Sequence, residues 1–278
     1  MVQNTDTTAD AVATIVASVQ TAAKYRNLCP DTIRRVAAAE WRAQRTLKQA
    51  IKSTKTRLHQ AYGAYESQID YERAWRDLCA AHSTAGHDRA AILSVARGLL
   101  SRHASTKERL PILDRFFDRV FAHTGAPHTL LDLACGLNPL ARPWMRLDAE
   151  AVYHAYDIDA ARIDFIDRYF TLTHTRGSAH LQDILCHPPI ERADVALLLK
   201  SSACLERQKK GSTLALLDRL NVAQVIVSFP VKSLGRREKG MAAHYARTFT
   251  AMLAGRPWPV TRLDFATEMA FIVDKRGR

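Results

Sequence analysis

Two short stretches hold the residues best suited to chemistry. Residues 130–136 read Leu-Leu-Asp-Leu-Ala-Cys-Gly, and about twenty residues beyond Gly136 the run Ala151-Val152-Tyr153-His154-Ala155-Tyr156 ends on Asp157. An apolar run that stops at a small-residue turn, then a second that stops at an acid, is the plan of a nucleotide-binding βαβ unit. The turn lets backbone amides approach the ligand, and the acid accepts hydrogen bonds from ribose hydroxyls. A ligand with a ribose is expected.

The turn selects among such ligands. A dinucleotide fingerprint needs three glycines to seat a pyrophosphate at a helix N-terminus. This chain offers Asp132, Ala134, Gly136 and Asn138. That set matches the looser Asp-x-Gly-x-Gly-x-Gly turn of S-adenosylmethionine-dependent methyltransferases, with Ala134 and Asn138 at two glycine positions. Asn138 is a mild departure from glycine, since Asn visits positive φ more readily than most residues. Pro139 can open the helix that follows. On the turn alone, a nicotinamide enzyme or a purely structural βαβ turn remains open.

The elements that must position these residues follow from periodicity. After Asp157 the pattern predicts a helix over 160–172, strands near 179–181 and 194–199, a helix over 212–220, a strand over 225–229 and a helix over 239–253. The chain then closes with a hairpin, 260–265 and 269–273, around Ala266-Thr267. A parallel sheet finished by an antiparallel hairpin ends class I methyltransferases, whereas a dinucleotide fold continues in parallel. No strand pattern precedes Leu130, so residues 1–108 are expected to form a helical domain ahead of an α/β domain over 109–278. At the join, Ser105-Thr106-Lys107-Glu108 has the form of a capping box that would start a helix. Pro111 argues instead for a break, and the two readings stay open.

Charge points to the partner. The 278 residues hold 40 Lys and Arg against 28 Asp and Glu, a net charge of +12 that favours a polyanion. Lys24, Arg26, Arg34, Arg35, Arg42, Arg45, Lys48, Lys52, Lys55 and Arg57 form a basic strip interrupted only by Asp31 and Glu40. Ile33, Val36, Ala37, Trp41, Leu47, Ile51 and Leu58 recur at mostly helical spacing, so one face can be buried while most of these cations point outward. A phosphate-tracking surface is expected over a merely solvated one because acids are so scarce. The five cysteines are scattered without a Cys-x-x-Cys pair, and no histidines pair at ligand spacing. Neither a disulfide framework nor a metal site is indicated. The apolar stretch 11–19 follows acids and is too short to span a bilayer, so a cytoplasmic protein is expected.

Several blocks in order carry a more specific likeness: His103-Ala104-Ser105-Thr106-Lys107-Glu108-Arg109-Leu110, Leu131 to Leu140, Tyr156-Asp157-Ile158-Asp159, Gln182-Asp183, and Ser228-Phe229-Pro230-Val231-Lys232-Ser233-Leu234-Gly235. Through nearly its whole length the chain resembles the aminoglycoside-resistance 16S rRNA methyltransferases. It is closest to the branch that methylates N7 of guanine 1405 in the decoding site. The resemblance implies a class I fold with a seven-stranded sheet, a helical N-terminal domain and S-adenosylmethionine as methyl donor. It implies that Asp157, with Ile158 beside it, holds the ribose, and that Asp183 beside Gln182 meets the adenine edge; a helix cap is the plainer role for Asp183. Arg109 would reach the methionine carboxylate, with a surface salt bridge as its alternative. Gly136 and Ala134 would admit the ligand, and Asp132 would order the turn more than touch the donor. The implied substrate is the assembled 30S subunit, the enzyme is expected to act as a monomer, and the product would exclude gentamicin- and kanamycin-type drugs.

The chemistry needs little else. Guanine N7 carries a free lone pair and no proton to remove, so no general base is required and alignment is most of the catalysis. Where amino-group methyltransferases often place Asn-Pro-Pro-Tyr, this chain reads Leu198-Leu199-Lys200-Ser201-Ser202-Ala203-Cys204-Leu205-Glu206. Lys200 can position the target base or a phosphate, or cap the strand end. Lys232, Arg236 and Arg237 fall after the fifth strand, at the ligand-facing edge, as candidates to position the base and grip RNA. Two rivals remain: a methyltransferase acting on N1 of adenine 1408, and a non-catalytic RNA-binding or ribosome-assembly protein on the same fold.

Overall fold

The computed structural model describes residues 3–62, 69–84, 89–231 and 240–277. Its centre is a seven-stranded sheet: β1 (Thr129–Leu133), β2 (Val152–Asp157), β3 (Gly177–Leu181), β4 (Ala193–Leu199), β5 (Val222–Pro230), β6 (Val260–Asp264) and β7 (Glu268–Asp274). The strand order is β3-β2-β1-β4-β5-β7-β6, with β1 to β5 parallel and β7 inserted antiparallel between β5 and β6. This is the sheet expected from the terminal hairpin. The order in which strands are added reverses between β1 and β4, and in an open parallel sheet that point opens a crevice at the strands' C-terminal edge.

Sequence alternation explains the two layers. In β1, Leu130 joins one apolar cluster and Leu131 and Leu133 the other; in β4, Val195, Leu197 and Leu199 oppose Ala196 and Leu198. Both faces are buried, so these strands read as continuous apolar runs. One face is covered by α4 (Tyr71–Thr84), α5 (Arg89–Leu100), α7 (Leu113–Thr124) and α9 (Ala160–Leu172). The other is covered by α10 (Ser202–Gln208), α11 (Ser212–Arg219) and α12 (Met241–Met252). Lys275 ties the last strand to α11 by donating from Nζ to the carbonyls of Leu217 and Leu220.

A separate apolar cluster, built on Ile15, Val19, Ile33, Ala37, Ala50 and Leu58, holds together α1 (Gln3–Gln20), α2 (Pro30–Ala43) and α3 (Leu47–Tyr62). The expected domain break at residue 108 is not where the packing divides. Leu78, Ala96 and Leu99 of α4 and α5 share the core of Phe116, Leu130 and Phe165. The independently packed helical body is therefore α1–α3, while α4 and α5 belong to the layer against the sheet. At the join, both readings of 105–111 hold in part. A short helix, α6 (Ala104–Arg109), forms, and Pro111 sits in a 3-10 turn (Leu110–Ile112) leading into α7. Its N-cap is His103, not Ser105. Thr106 instead hydrogen-bonds back to the carbonyls of Leu100 and His103, so the capping-box spelling is used otherwise.

Candidate active site

The turn after β1 is fixed by its backbone. Ala134 (φ +51°) and Gly136 (φ +55°) occupy the left-handed region, and Asn138 does not. Asn138 therefore serves the turn through its side chain rather than through a left-handed backbone. Its side chain is buried, accepting from Arg109 (2.9 Å) and donating to Asp132 (2.9 Å). Gly136 could not be replaced cheaply: an added Cβ would lie 2.8 Å from Cε1 of the buried His103 ring. Asp132 accepts from Tyr153 Oη (2.6 Å) as well as from Asn138, so it orders the turn. Burial pushes its carboxyl up to about 7, against the lowering effect of the Tyr153 and Asn138 hydrogen bonds.

At the end of β2, Asp157 faces the same turn. Its Oδ2 accepts from the Gly136 N–H (2.9 Å), and its Oδ1 from the N–H groups of Ile158 (2.8 Å) and Asp159 (3.2 Å). Arg162, buried on the first turn of α9, donates to Oδ1 at 2.8 Å. Each carboxylate oxygen has about two acceptor positions, and Oδ2 has one donor. Oδ2 therefore retains one toward the adjoining cavity, where a ribose hydroxyl would be received. Arg162 was not singled out from sequence, yet a signal exists: a cation in a helix's first turn opposes the macrodipole and needs a carboxylate partner.

After β3, Asp183 is 3% exposed and carries three interactions. Its Oδ1 accepts from the Leu185 N–H (2.9 Å), and Oδ2 from Arg35 Nε (3.0 Å) and Nη2 (2.8 Å). Arg35 also donates to Gln208 (2.7 Å) and to the Tyr62 hydroxyl (3.1 Å). Arg35 was expected on the RNA-facing strip. It is turned instead onto a buried acid, because the flank of α2 that it shares with Asp31 packs on the segment after β3, where Cys186 and His187 meet Asp31.

Behind the turn lies a buried charge layer. Arg109, 1% exposed, grips Glu268 through Nε (3.0 Å) and Nη2 (2.8 Å) and lies over the Phe116 ring. The fork expected to meet a ligand carboxylate holds a carboxylate of the protein. Lys200, in left-handed conformation (φ +58°) at the end of β4, gives its ammonium to Glu108 (2.9 Å), the Ser105 carbonyl (2.9 Å) and Glu268 (3.3 Å). Its three donors tie α6 to β7. Burial alone would raise the Glu268 carboxyl, but Arg109 and Lys200 hold it below the usual range. Glu268 was missed, although an acid opening the apolar strand Glu-Met-Ala-Phe-Ile-Val-Asp requires a buried partner.

These groups border a cavity of about 330 Å³. Ala134, Gly136, Asp157, Ile158, Gln182 and Asp183 line it; Arg109 and Asp132 stand behind it. Lys200 lines it too, as do Tyr25, Leu28, Leu58 and Tyr62 from the helical body. That body is pinned there: the Cys29 N–H donates to the Ile158 carbonyl (2.7 Å), and the Ala160 N–H to the Asn27 carbonyl (2.7 Å). A cavity of this size beside a buried acid and a glycine turn suits a nucleoside-bearing cofactor.

The strip's other cations lie outside. Lys24, Arg26, Arg34, Arg42, Arg45, Lys48, Lys52 and Arg57 are exposed and Lys55 is half-buried. Arg34 pairs with Asp31 and Arg57 with Glu40, while Arg42, Arg45, Lys48 and Lys52 have no acidic partner among the described residues. Lys232, Arg236 and Arg237 lie outside the described residues. Among those described, no group of three or more His, Cys, Asp or Glu could hold a metal ion, and no helix is long and apolar enough to cross a membrane.

Comparison with known proteins agrees with this geometry. The "Ribosomal RNA methyltransferase (FmrO)" family model matches residues 21–273. A Micromonospora rosea protein named 16S rRNA (guanine(1405)-N(7))-methyltransferase is 39% identical over 274 residues, covering 98% of this chain and 99% of the relative. A Serratia marcescens protein of the same name is 39% identical, covering 96% and 98%. Among solved structures, 16S rRNA methylase RmtB superposes with TM-score 0.80 at 33% identity, covering 95% of this chain and 98% of that one. The 16S rRNA methyltransferase RmtF, in complex with S-adenosyl-L-homocysteine, gives TM-score 0.81 at 32% identity, covering 95% and 97%. With its turn, acid and sheet order accounted for and its whole length matched, the chain belongs to the FmrO family of ribosomal RNA methyltransferases.

Proposed function

We propose that this protein transfers a methyl group from S-adenosylmethionine to N7 of guanine 1405 in 16S rRNA, acting as a monomer on the assembled 30S subunit. The observation that carries the proposal is the cavity beside Gly136 and Asp157, roofed by a helical body with a basic outer face. Relatives along the full length carry the guanine-1405 name. When bound, S-adenosylmethionine supplies a methyl group already activated by its sulfonium.

The residues then have distinct tasks. Asp157 would receive the ribose hydroxyls on Oδ2, and Asp183 with Gln182 would meet the adenine edge. Gly136 and Ala134 keep the backbone close, and Asp132 and Asn138 keep that turn in shape. Lys200 holds α6 against the mouth of the site through Glu108, which makes it a framework residue rather than a hand on the target. No side chain need accept a proton, since guanine N7 has none to lose. Holding the nucleophile in line is where the rate is gained.

A nucleotide in a folded ribosomal surface presents phosphate and shape rather than a readable groove, so a broad cationic footprint is needed. Residues 1–108 supply it on this reading, with α1–α3 as the docking body, and residues 109–278 supply the catalytic sheet. Such a product would exclude gentamicin- and kanamycin-type drugs from the decoding site. The test is transfer of labelled methyl from S-adenosylmethionine to purified 30S subunits, with naked 16S rRNA alongside. Label on subunits and little on naked RNA is the expected result. Equal labelling of both removes the assembled-subunit requirement, and no labelling of either overturns the proposal.

A further inference from the structure

We propose that Arg35 is a positioning residue of the methyl-donor site, fixing the Asp183 carboxylate so that the pocket recognises the amino edge of adenine. The inference deepens the proposed function and rests on its assignment of Asp183. Arg35 places two N–H groups on one oxygen, Asp183 Oδ2, at 3.0 and 2.8 Å. Apart from these, among the described residues the Asp183 carboxylate has only the Leu185 N–H, on its other oxygen. Without Arg35, a carboxylate that is 3% exposed would keep an unpaired oxygen, and such a group rotates toward another donor rather than hold its place.

Arg35 is itself held. Gln208 Oε1 accepts from both Arg35 Nη2 (2.7 Å) and Tyr62 Oη (2.6 Å), so α2, α3 and α10 close on one point. Burial would lower the guanidinium's affinity for its proton, and Asp183 more than reverses this. A phosphate contact needs an arm that reaches solvent. This one spends Nε and Nη2 inward, unlike the exposed Arg34 beside it. The basic helix thus has two uses: its outer cations for the substrate, and one inner cation for the pocket.

The test compares binding of S-adenosylhomocysteine and S-inosylhomocysteine to the full chain by calorimetry. The inosyl compound has a 6-oxo acceptor where adenine offers an amino donor. The parent protein should prefer the adenosyl compound by roughly tenfold or more, the scale of one hydrogen bond to a charged group. Arg35→Ala and Arg35→Gln should weaken adenosyl binding and shrink that preference to about threefold or less, and Arg35→Lys should recover part of it. A merely structural loss would weaken both compounds alike and keep the preference, which would overturn the proposal. So would an unchanged cofactor site with a subunit-binding salt slope reduced by about 1, the mark of a lost phosphate contact. Asp183→Ala separates the two layers. If it keeps the adenosyl preference, the assignment of Asp183 fails and this inference with it. If it loses the preference while Arg35→Ala keeps it, only the role of Arg35 is wrong.

Discussion

On the proposed reading Asp157 Oδ2 holds the Gly136 turn and receives the ribose, while Oδ1 holds Arg162, so substitution should show losses of both binding and stability. Asp157→Ala is expected to lose about 1.5 to 3 kcal/mol of S-adenosylmethionine binding with 30S binding spared, measured by calorimetry. It also takes from the buried Arg162 its nearest carboxylate while Asp159 and the Tyr71 hydroxyl stay in reach, so thermal or denaturant unfolding should show a further stability loss smaller than the about 3–5 kcal/mol of a fully unpaired buried charge. Unchanged cofactor affinity would contradict the ribose assignment. Asp132 makes a pH prediction. Its carboxyl is raised to about 7, so its favourable contribution is full below the unfolded value near 3.8 and is lost as pH rises through 7. His103 runs the other way: burial first, then Arg162, lower it to about 4, so its contribution is present above the unfolded value of 6.5 and lost as pH falls toward 4. Asp132→Asn keeps acceptors for Tyr153 and Asn138 and removes only the first effect. The variant's stability relative to the parent, followed by denaturant unfolding, should therefore rise between pH 4 and pH 7; a flat difference would contradict it. Asp157 and Gly136 were legible because their spacing is dictated by a ligand. Arg162 and Glu268 were not singled out because a lone charge in an apolar run declares its need for a partner but not which one.

Among the elements, α2 shows what periodicity can and cannot deliver. The bounds of α9 agree with the helix expected over 160–172, since long apolar periodicity fixes where a helix must face. The short α10 was not anticipated: seven residues are too few for a periodic signal. On α2 the pattern found the buried stripe of Ile33 and Ala37, yet could not tell a cation aimed at solvent from Arg35 at the flank, because the acid it meets lies 148 residues away. The charge prediction is accordingly narrowed. Neutralising Arg34, Arg42 and Arg45 together, with Arg35 intact, should weaken 30S binding and reduce the magnitude of its salt slope by up to about 3, leaving cofactor affinity unchanged. A filter-binding series over salt concentration checks this. An unaltered slope would make the helix face a bland surface.

At the scale of the whole molecule, a separately packed helical body borders the sheet's crevice, and on the proposed reading the donor site and the substrate-facing surface share α2. The fold class and terminal hairpin were legible from order alone, because a right-handed parallel βα succession leaves few topologies. The partition at residue 108 was not, because α4 and α5 look as helical in sequence as α1–α3, and only the Leu78, Ala96 and Leu99 contacts reveal that they pack on the sheet. The proposed target is one atom on one nucleotide, N7 of guanine 1405. It is tested most directly by incubating the protein with S-adenosylmethionine and 30S subunits, then reducing the extracted 16S rRNA and cleaving the strand at N7-methylguanine. Cleavage at guanine 1405, absent without the protein, is the expected result. Methylated RNA that resists cleavage there would contradict the claimed target, and cleavage at another guanine would keep the chemistry and refute the site.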